Sequence, residues 1–164
     1  EKILENNTNN FVIQIANDNS VGQVVLSGKI QDLEKLSEVL KDNKIKNIKL
    51  PVSAPFHCNL MSKATKKMNE ELTKLSFKKG VNVLISNVTA DEISNENELK
   101  DLLIKQIENR VRWRESVIHM IDKNVDRFIE IGPGKVLSGL VKRINKEVIV
   151  SSINNEDDIK NIKI

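Results

Sequence analysis

Val125-Asp126-Arg127-Phe128-Ile129-Glu130-Ile131-Gly132-Pro133-Gly134-Lys135-Val136-Leu137 reads as a strand, a turn and the first turn of a helix. Val125 to Ile131 is a short apolar run of strand length, read as a buried strand and closed by Gly-Pro-Gly, residues that punctuate rather than continue regular structure. Val136, Leu137, Leu140, Val141 and Ile144 then recur at helical spacing, which predicts a helix with those five side chains inward. Val148 to Ser151 is the next apolar run and is expected to end the regular structure. Parallel neighbouring strands need a crossover connection, usually a helix, so this order points to an α/β layer with a largely parallel sheet. Gly132-Pro133-Gly134 lacks the spacing of a phosphate loop and is read as a strand-to-helix turn.

Towards the N-terminus, helical periods and short apolar runs continue to alternate. Trp113, Val117, Met120 and Ile121 mark one helix, with Trp113 in the core and His119 on the solvent side. Leu99, Leu102, Leu103 and Ile107 mark another, from roughly Glu96 to Ile107. From Leu60 onward, Met61, Ala64, Met68, Leu72 and Leu75 keep a helical period before the apolar run Val81 to Ile85. The first third of the chain differs. Phe11, Ile13 and Ile15 alternate with Val12 and Gln14 in a strand that enters the turn-rich segment Asn17 to Gly22. Gln23 to Ser27 is a second strand, closed by Gly28. The helix after it has Asp32 near its start and Leu33, Leu36, Val39 and Leu40 on one face, and Ile48, Leu50 and Val52 form a further alternating run. Strand, turn, strand, helix, strand is most of a split β-α-β unit, provided a first strand and most of a first helix lie upstream, with Glu1 to Asn6 as the tail of that helix. The chain is therefore divided into an incomplete ferredoxin-like small subdomain, residues 1–52, and part of a larger α/β domain, residues 53–164.

Composition narrows the function classes. With 39% hydrophobic residues among 164, the chain can fill an ordinary core. Charges of both signs are interspersed and leave an excess of only +3, and one Trp with no Tyr provides no stacking platform, so no nucleic-acid partner is expected. No run approaches the ~20 apolar residues of a membrane span, and the first residues lack a signal-peptide pattern. A single cysteine, Cys58, suits a reducing compartment. A soluble, cytoplasmic protein is expected, or one of a plastid-type organelle if the source is eukaryotic.

The chemistry concentrates in Val52-Ser53-Ala54-Pro55-Phe56-His57-Cys58-Asn59-Leu60-Met61, which places His57 between a strand and a helix. An imidazole with an ordinary pKa of about 6.5 can take a proton from a hydroxyl nucleophile near neutral pH. Capping of the following helix is the competing role for the same side chain. Cys58 reads as a small buried residue, since adjacent side chains rarely face each other.

Four blocks, in this order, resemble the malonyl-CoA:acyl-carrier-protein transacylases of fatty-acid synthesis and the acyltransferase domains of polyketide synthases. They are Asn17 to Val25, Leu50 to His57, Gln106 with Val111-Arg112-Trp113, and Glu130 to Leu137. The resemblance implies an α/β-hydrolase-like acyltransferase domain, present here as its C-terminal part, that moves malonyl from malonyl-CoA to the phosphopantetheine thiol of acyl carrier protein. It implies His57 as the base of a Ser-His dyad and Gln106 as the residue whose backbone carbonyl orients it. Asn17, Asn19 and Gln23 would line the pantetheine channel, turn chemistry being the other reading of the two asparagines. Phe56 would favour malonyl, since in the polyketide domains Phe at this place goes with malonyl and Ser with methylmalonyl. Lys44, Lys46, Lys49, Lys142 and Arg143 resemble positions facing the carrier protein or the CoA phosphates. No metal or bound cofactor, no membrane partner and a monomeric intact enzyme are implied. Val21 stands where the family commonly has proline. No Gly-x-Ser-x-Gly occurs in the chain, so the serine, its oxyanion donors and the malonyl-binding arginine are expected upstream. A non-catalytic ferredoxin-like binding module derived from an acyltransferase is the alternative.

Overall fold

The computed structural model describes residues 12–78 and 80–162. The expected helix tail at Glu1 to Asn6, and Phe11, lie outside them. Strands β1 (Ile13–Ser20) and β2 (Gln23–Gly28) form an antiparallel hairpin. Its turn is only Val21-Gly22, with Gly22 at φ 77°, so Asn17 to Ser20 are strand rather than turn. Tertiary bonding overrides their turn preference: Asp18 N donates to Val111 O at 2.9 Å and Val111 N to Ala16 O at 2.8 Å. The Asp18 carboxylate is buried and accepts from two nitrogens of Arg114, Nε at 3.0 Å and Nη2 at 2.7 Å. This fork holds the hairpin to the rest of the chain. Gly28 is required by close approach, because a Cβ there would lie 2.3 Å from Val12 O.

Helix α1 (Ile30–Asp42) packs on β2 and buries Leu36, with Leu33, Val39 and Leu40 partly covered beside it. The next expected strand does not form. Ile48, Leu50 and Val52 are exposed in a segment without regular structure, tied to α1 by Ser37 Oγ donating to Asn47 Oδ1 at 2.6 Å. A strand needs a neighbour for its backbone groups, and none pairs with this segment among the described residues.

A 3₁₀ turn, Asn59–Met61, leads into α2 (Ser62–Leu72). Leu75 falls beyond the helix and, like Met68, is exposed. The run Val81 to Ile85 is not a buried strand, since Val81 is 100% exposed. It feeds a tight turn closed by Ser86 N to Asp91 O and Ile93 N to Leu84 O, both 2.9 Å. Asn95 caps α3 (Glu96–Lys105), its Oδ1 accepting from Asn97 N and Glu98 N at 3.0 Å. Helix α4 (Trp113–Asp122) follows.

Strand β3 (Arg127–Ile131), helix α5 (Val136–Ile144) and strand β4 (Ile149–Ile153) form the expected parallel unit, with Arg127 opposite Ile149 and Ile131 opposite Ile153. Regular structure continues past Ser151 into α6 (Glu156–Asn161), whose start is capped by Asn155 Oδ1 accepting from Asp158 N at 3.0 Å. Asn155 followed by Glu-Asp-Asp was the available signal for it.

The main core joins α4 to this unit through Val117, Val141 and Val148, with Trp113, Met120, Ile121, Phe128, Ile144 and Val150 packed around them. Several residues expected inside are outside: Val136 is 72% exposed, Ile131 80% and Leu137 42%. A parallel sheet is normally covered on both faces, whereas β3 and β4 form only a two-stranded sheet among the described residues. No helix among the described residues is long and apolar enough to cross a membrane.

Candidate active site

His57 sits on the turn between Pro55 and the 3₁₀ segment, in the left-handed region at φ 58°. For a residue with a Cβ this conformation costs about 1–2 kcal/mol and persists only where surroundings impose it. The C-terminal end of α3 imposes it. His57 N donates to Ile107 O at 3.2 Å, and Nδ1 lies 2.7 Å from Gln106 O. A helix leaves its last carbonyls without intrahelical partners, so the Gln106 oxygen at its cap is available for this purpose, and Ile107 O follows just beyond the helix. A carbonyl only accepts, which puts the proton of a neutral ring on Nδ1 and leaves the Nε2 lone pair as the basic site.

The neighbours of His57 are held as firmly. Asn59 N donates to Gln14 Oε1 at 2.7 Å, linking β1 to the histidine turn. The Cys58 thiol is buried and donates to Pro55 O at 3.2 Å, turned away from any role beside the imidazole. Phe56 is 48% exposed.

The other residues singled out in the sequence lie in three places. Asn17 and Asn19 are half-buried on β1, alternating with the buried Asp18 and Ser20. Gln23 opens β2, where its Oε1 accepts a bond from Arg143 Nη1 on α5. Lys142 is tied down by its own chain, donating to Lys146 O at 3.0 Å and Val148 O at 2.7 Å, so this lysine closes the loop after α5. Lys44, Lys46 and Lys49 are exposed along the segment after α1, with Lys49 3.4 Å from Glu34. His119 departs from its expected solvent position. Its side chain is 25% exposed, with Nε2 3.5 Å from Asp91 Oδ1 and 4.0 Å from Glu92 Oε1.

The Gly-Pro-Gly turn has its donors occupied. Glu130 accepts from Leu137 N at 3.1 Å and Ser138 N at 2.7 Å, and Asn154 Oδ1 accepts from Gly134 N at 2.6 Å. Sequence reasoning overlooked Glu130, because nothing local shows that a strand carboxylate reaches the following helix. Bonding to Ser138, first through its side chain and then its backbone, lowers the Glu130 pKa. A lowered folded-state pKa gives stabilisation that is fully present above the ordinary value of about 4.3 and lost as pH falls through the folded value. Glu130→Gln should therefore lower Tm at neutral pH and flatten the acid limb of a Tm-against-pH profile. An unchanged acid limb would show that the carboxylate contributes nothing there.

Comparisons with known proteins agree on one group. The chain is 41% identical over 150 residues to the malonyl CoA-acyl carrier protein transacylase of Bacillus subtilis (strain 168), covering 91% of this chain and 47% of that protein. The crystal structure of malonyl CoA-acyl carrier protein transacylase from Clostridium perfringens superposes with a TM-score of 0.91 at 40% identity, over 97% of this chain and 50% of that one. A malonyl-transacylase solved in complex with its type II polyketide acyl-carrier protein matches with a TM-score of 0.90 at 29% identity, over 97% of this chain and 52% of that one. The chain thus spans about half the length of the curated relatives it matches. No family model matches.

Proposed function

This chain belongs to the malonyl CoA-acyl carrier protein transacylase family, whose C-terminal half it matches, and we propose that it supplies the general base for malonyl transfer from malonyl-CoA to acyl carrier protein. The observation that carries the proposal is the 2.7 Å contact between His57 Nδ1 and Gln106 O, which leaves Nε2 as the proton acceptor. A serine from the other half of the fold would give its proton to Nε2 as its Oγ attacks the malonyl thioester carbonyl. The tetrahedral intermediate collapses by breaking the C–S bond, and His57 returns the proton to the departing CoA thiolate. In the second half-reaction Nε2 takes the proton of the carrier's phosphopantetheine thiol as its sulfur attacks the acyl-serine, then protonates the released serine. Protons and acyl groups balance over the two halves, and neither a metal nor a bound cofactor enters a step.

The remaining assignments follow from that role. Residues 1–52 would complete a ferredoxin-like subdomain with a strand and helix from the other half, which would explain why Ile48, Leu50 and Val52 lie unpaired and exposed. Asn17, Asn19 and Gln23 would face the pantetheine arm. Lys44, Lys46, Lys49 and Arg143 would draw in acidic carrier or CoA phosphates, mainly through association rate. Lys142 suits this less, because its ammonium is engaged with two carbonyls. The exposed apolar residues of β3 and α5 would be covered in the complete fold.

The test is complementation. The purified chain should transfer no malonyl, because a base without nucleophile and oxyanion donors cannot form the acyl-enzyme. Adding a polypeptide that carries the serine-bearing half of the fold should produce malonyl-loaded carrier protein, read by intact-protein mass spectrometry. Transfer by the chain alone, with host enzyme excluded, overturns the proposal.

A further inference from the structure

The carbonyl that orients His57 depends on how residues 106–112 are held, and the tight turn at 86–91 holds both ends of that segment. Arg112 N donates to Asn87 O at 2.9 Å, and Arg112 Nη1 donates to Thr89 O at 2.8 Å. At the other end, Asn87 Nδ2 donates to the side-chain oxygen of Gln106 at 3.4 Å. Asn87 is thus the one described residue that bonds to Gln106 through its side chain and to Arg112 through its backbone. The turn is stiff enough to act as an anchor. Ala90 is buried with φ 58°, Ala90 N donates to Ser86 O at 2.9 Å, and Ser86 Oγ accepts from Val88 N at 3.1 Å.

The Gln106 side chain is consequently turned towards Asn87 while its backbone carbonyl faces the imidazole. The peptide unit that carries the carbonyl is held on its other side by Ile107 N donating to Ile104 O at 3.3 Å; the contact to Asn87 adds a second restraint at Gln106, and a small rotation of that peptide moves the oxygen away from Nδ1. We propose that Asn87 is a positioning residue for His57, acting through Gln106 to keep the imidazole in its Nδ1-protonated tautomer. This rests on the reading of His57 as the base, but its geometric content can be measured without activity.

The experiment uses the full chain with ¹⁵N-labelled histidine, the His57 signals being identified from a His57→Gln spectrum. At a pH where the ring is neutral, wild-type His57 should show the Nδ1–H tautomer. Asn87→Leu should shift the population towards Nε2–H while circular dichroism stays unchanged. Asn87→Asp should restore the wild-type pattern, because the Gln106 amide can turn over and donate its NH₂ to the carboxylate. Gln106→Leu, which keeps the backbone carbonyl but removes the brace from the other end, should reproduce the Asn87→Leu spectrum even if that variant folds poorly. In the complemented enzyme both leucine variants should lower kcat by about 3- to 10-fold with little change in KM for malonyl-CoA, a loss within what a positioned base contributes. An unshifted tautomer in a folded leucine variant overturns the positioning role. A shifted tautomer with unchanged kcat upholds the brace and overturns the reading of His57 as base.

Discussion

His57→Ala in the complemented enzyme should slow formation of the malonyl-serine intermediate by roughly 10²- to 10⁴-fold, the usual contribution of a positioned general base. Single-turnover kinetics with radiolabelled malonyl-CoA would read this step directly. The fold should survive. His57 is only half-buried, and the left-handed backbone it occupies costs Ala about as much as it costs His. The ring's one hydrogen bond among the described residues goes to a carbonyl at the end of α3 that water can satisfy once the ring is gone. A structural cap would behave in the opposite way, with loss of Tm accompanying loss of rate. If His57→Ala unfolded the protein with no separable kinetic defect, the base assignment would fail. Gln106→Ala keeps the backbone oxygen and should cost far less than removing His57.

Phe56→Ser should move the ratio of kcat/KM for methylmalonyl-CoA over malonyl-CoA by about tenfold or more towards methylmalonyl. The side chain immediately precedes the proposed base and is 48% exposed; on the proposed reading it meets the acyl group. A phenyl ring fills space that an α-methyl branch would need. Rejecting one methyl group by shape is worth about 1–3 kcal/mol, or roughly 10- to 200-fold. Equal losses for both substrates would remove Phe56 from the specificity argument.

Some of this was legible along the chain. The parallel unit of β3, α5 and β4 followed from period and punctuation alone, since an apolar run, a Gly-Pro-Gly break and a 3.6-residue repeat admit few other readings. Helix α3 was readable for the same reason, from the helical spacing of Leu99, Leu102 and Leu103. Which apolar residues are covered was not readable in this way. Periodicity tells which side chains share a face, but a face is buried only if another element lies against it. Val141 packs with Val117 of α4 and with Val148 and is buried, while Val136 on the same helix is 72% exposed. Ile48 to Val52 alternates like a strand and remains unpaired for the equivalent backbone reason.

The sequence by itself determined most of the helices, the parallel unit of β3, α5 and β4, the family blocks and the identity of the histidine, because each is written in spacing and residue type within a few positions. Tertiary structure alone decided what that histidine can do. Its orienting carbonyl is 49 residues away, its turn is held by Gln14 from 45 residues before Asn59, and Asn87 reaches Gln106 across 19 residues. Backbone carbonyls have no residue signature. Any amino acid supplies the same oxygen, so only the path of the folded chain shows which oxygen faces the ring.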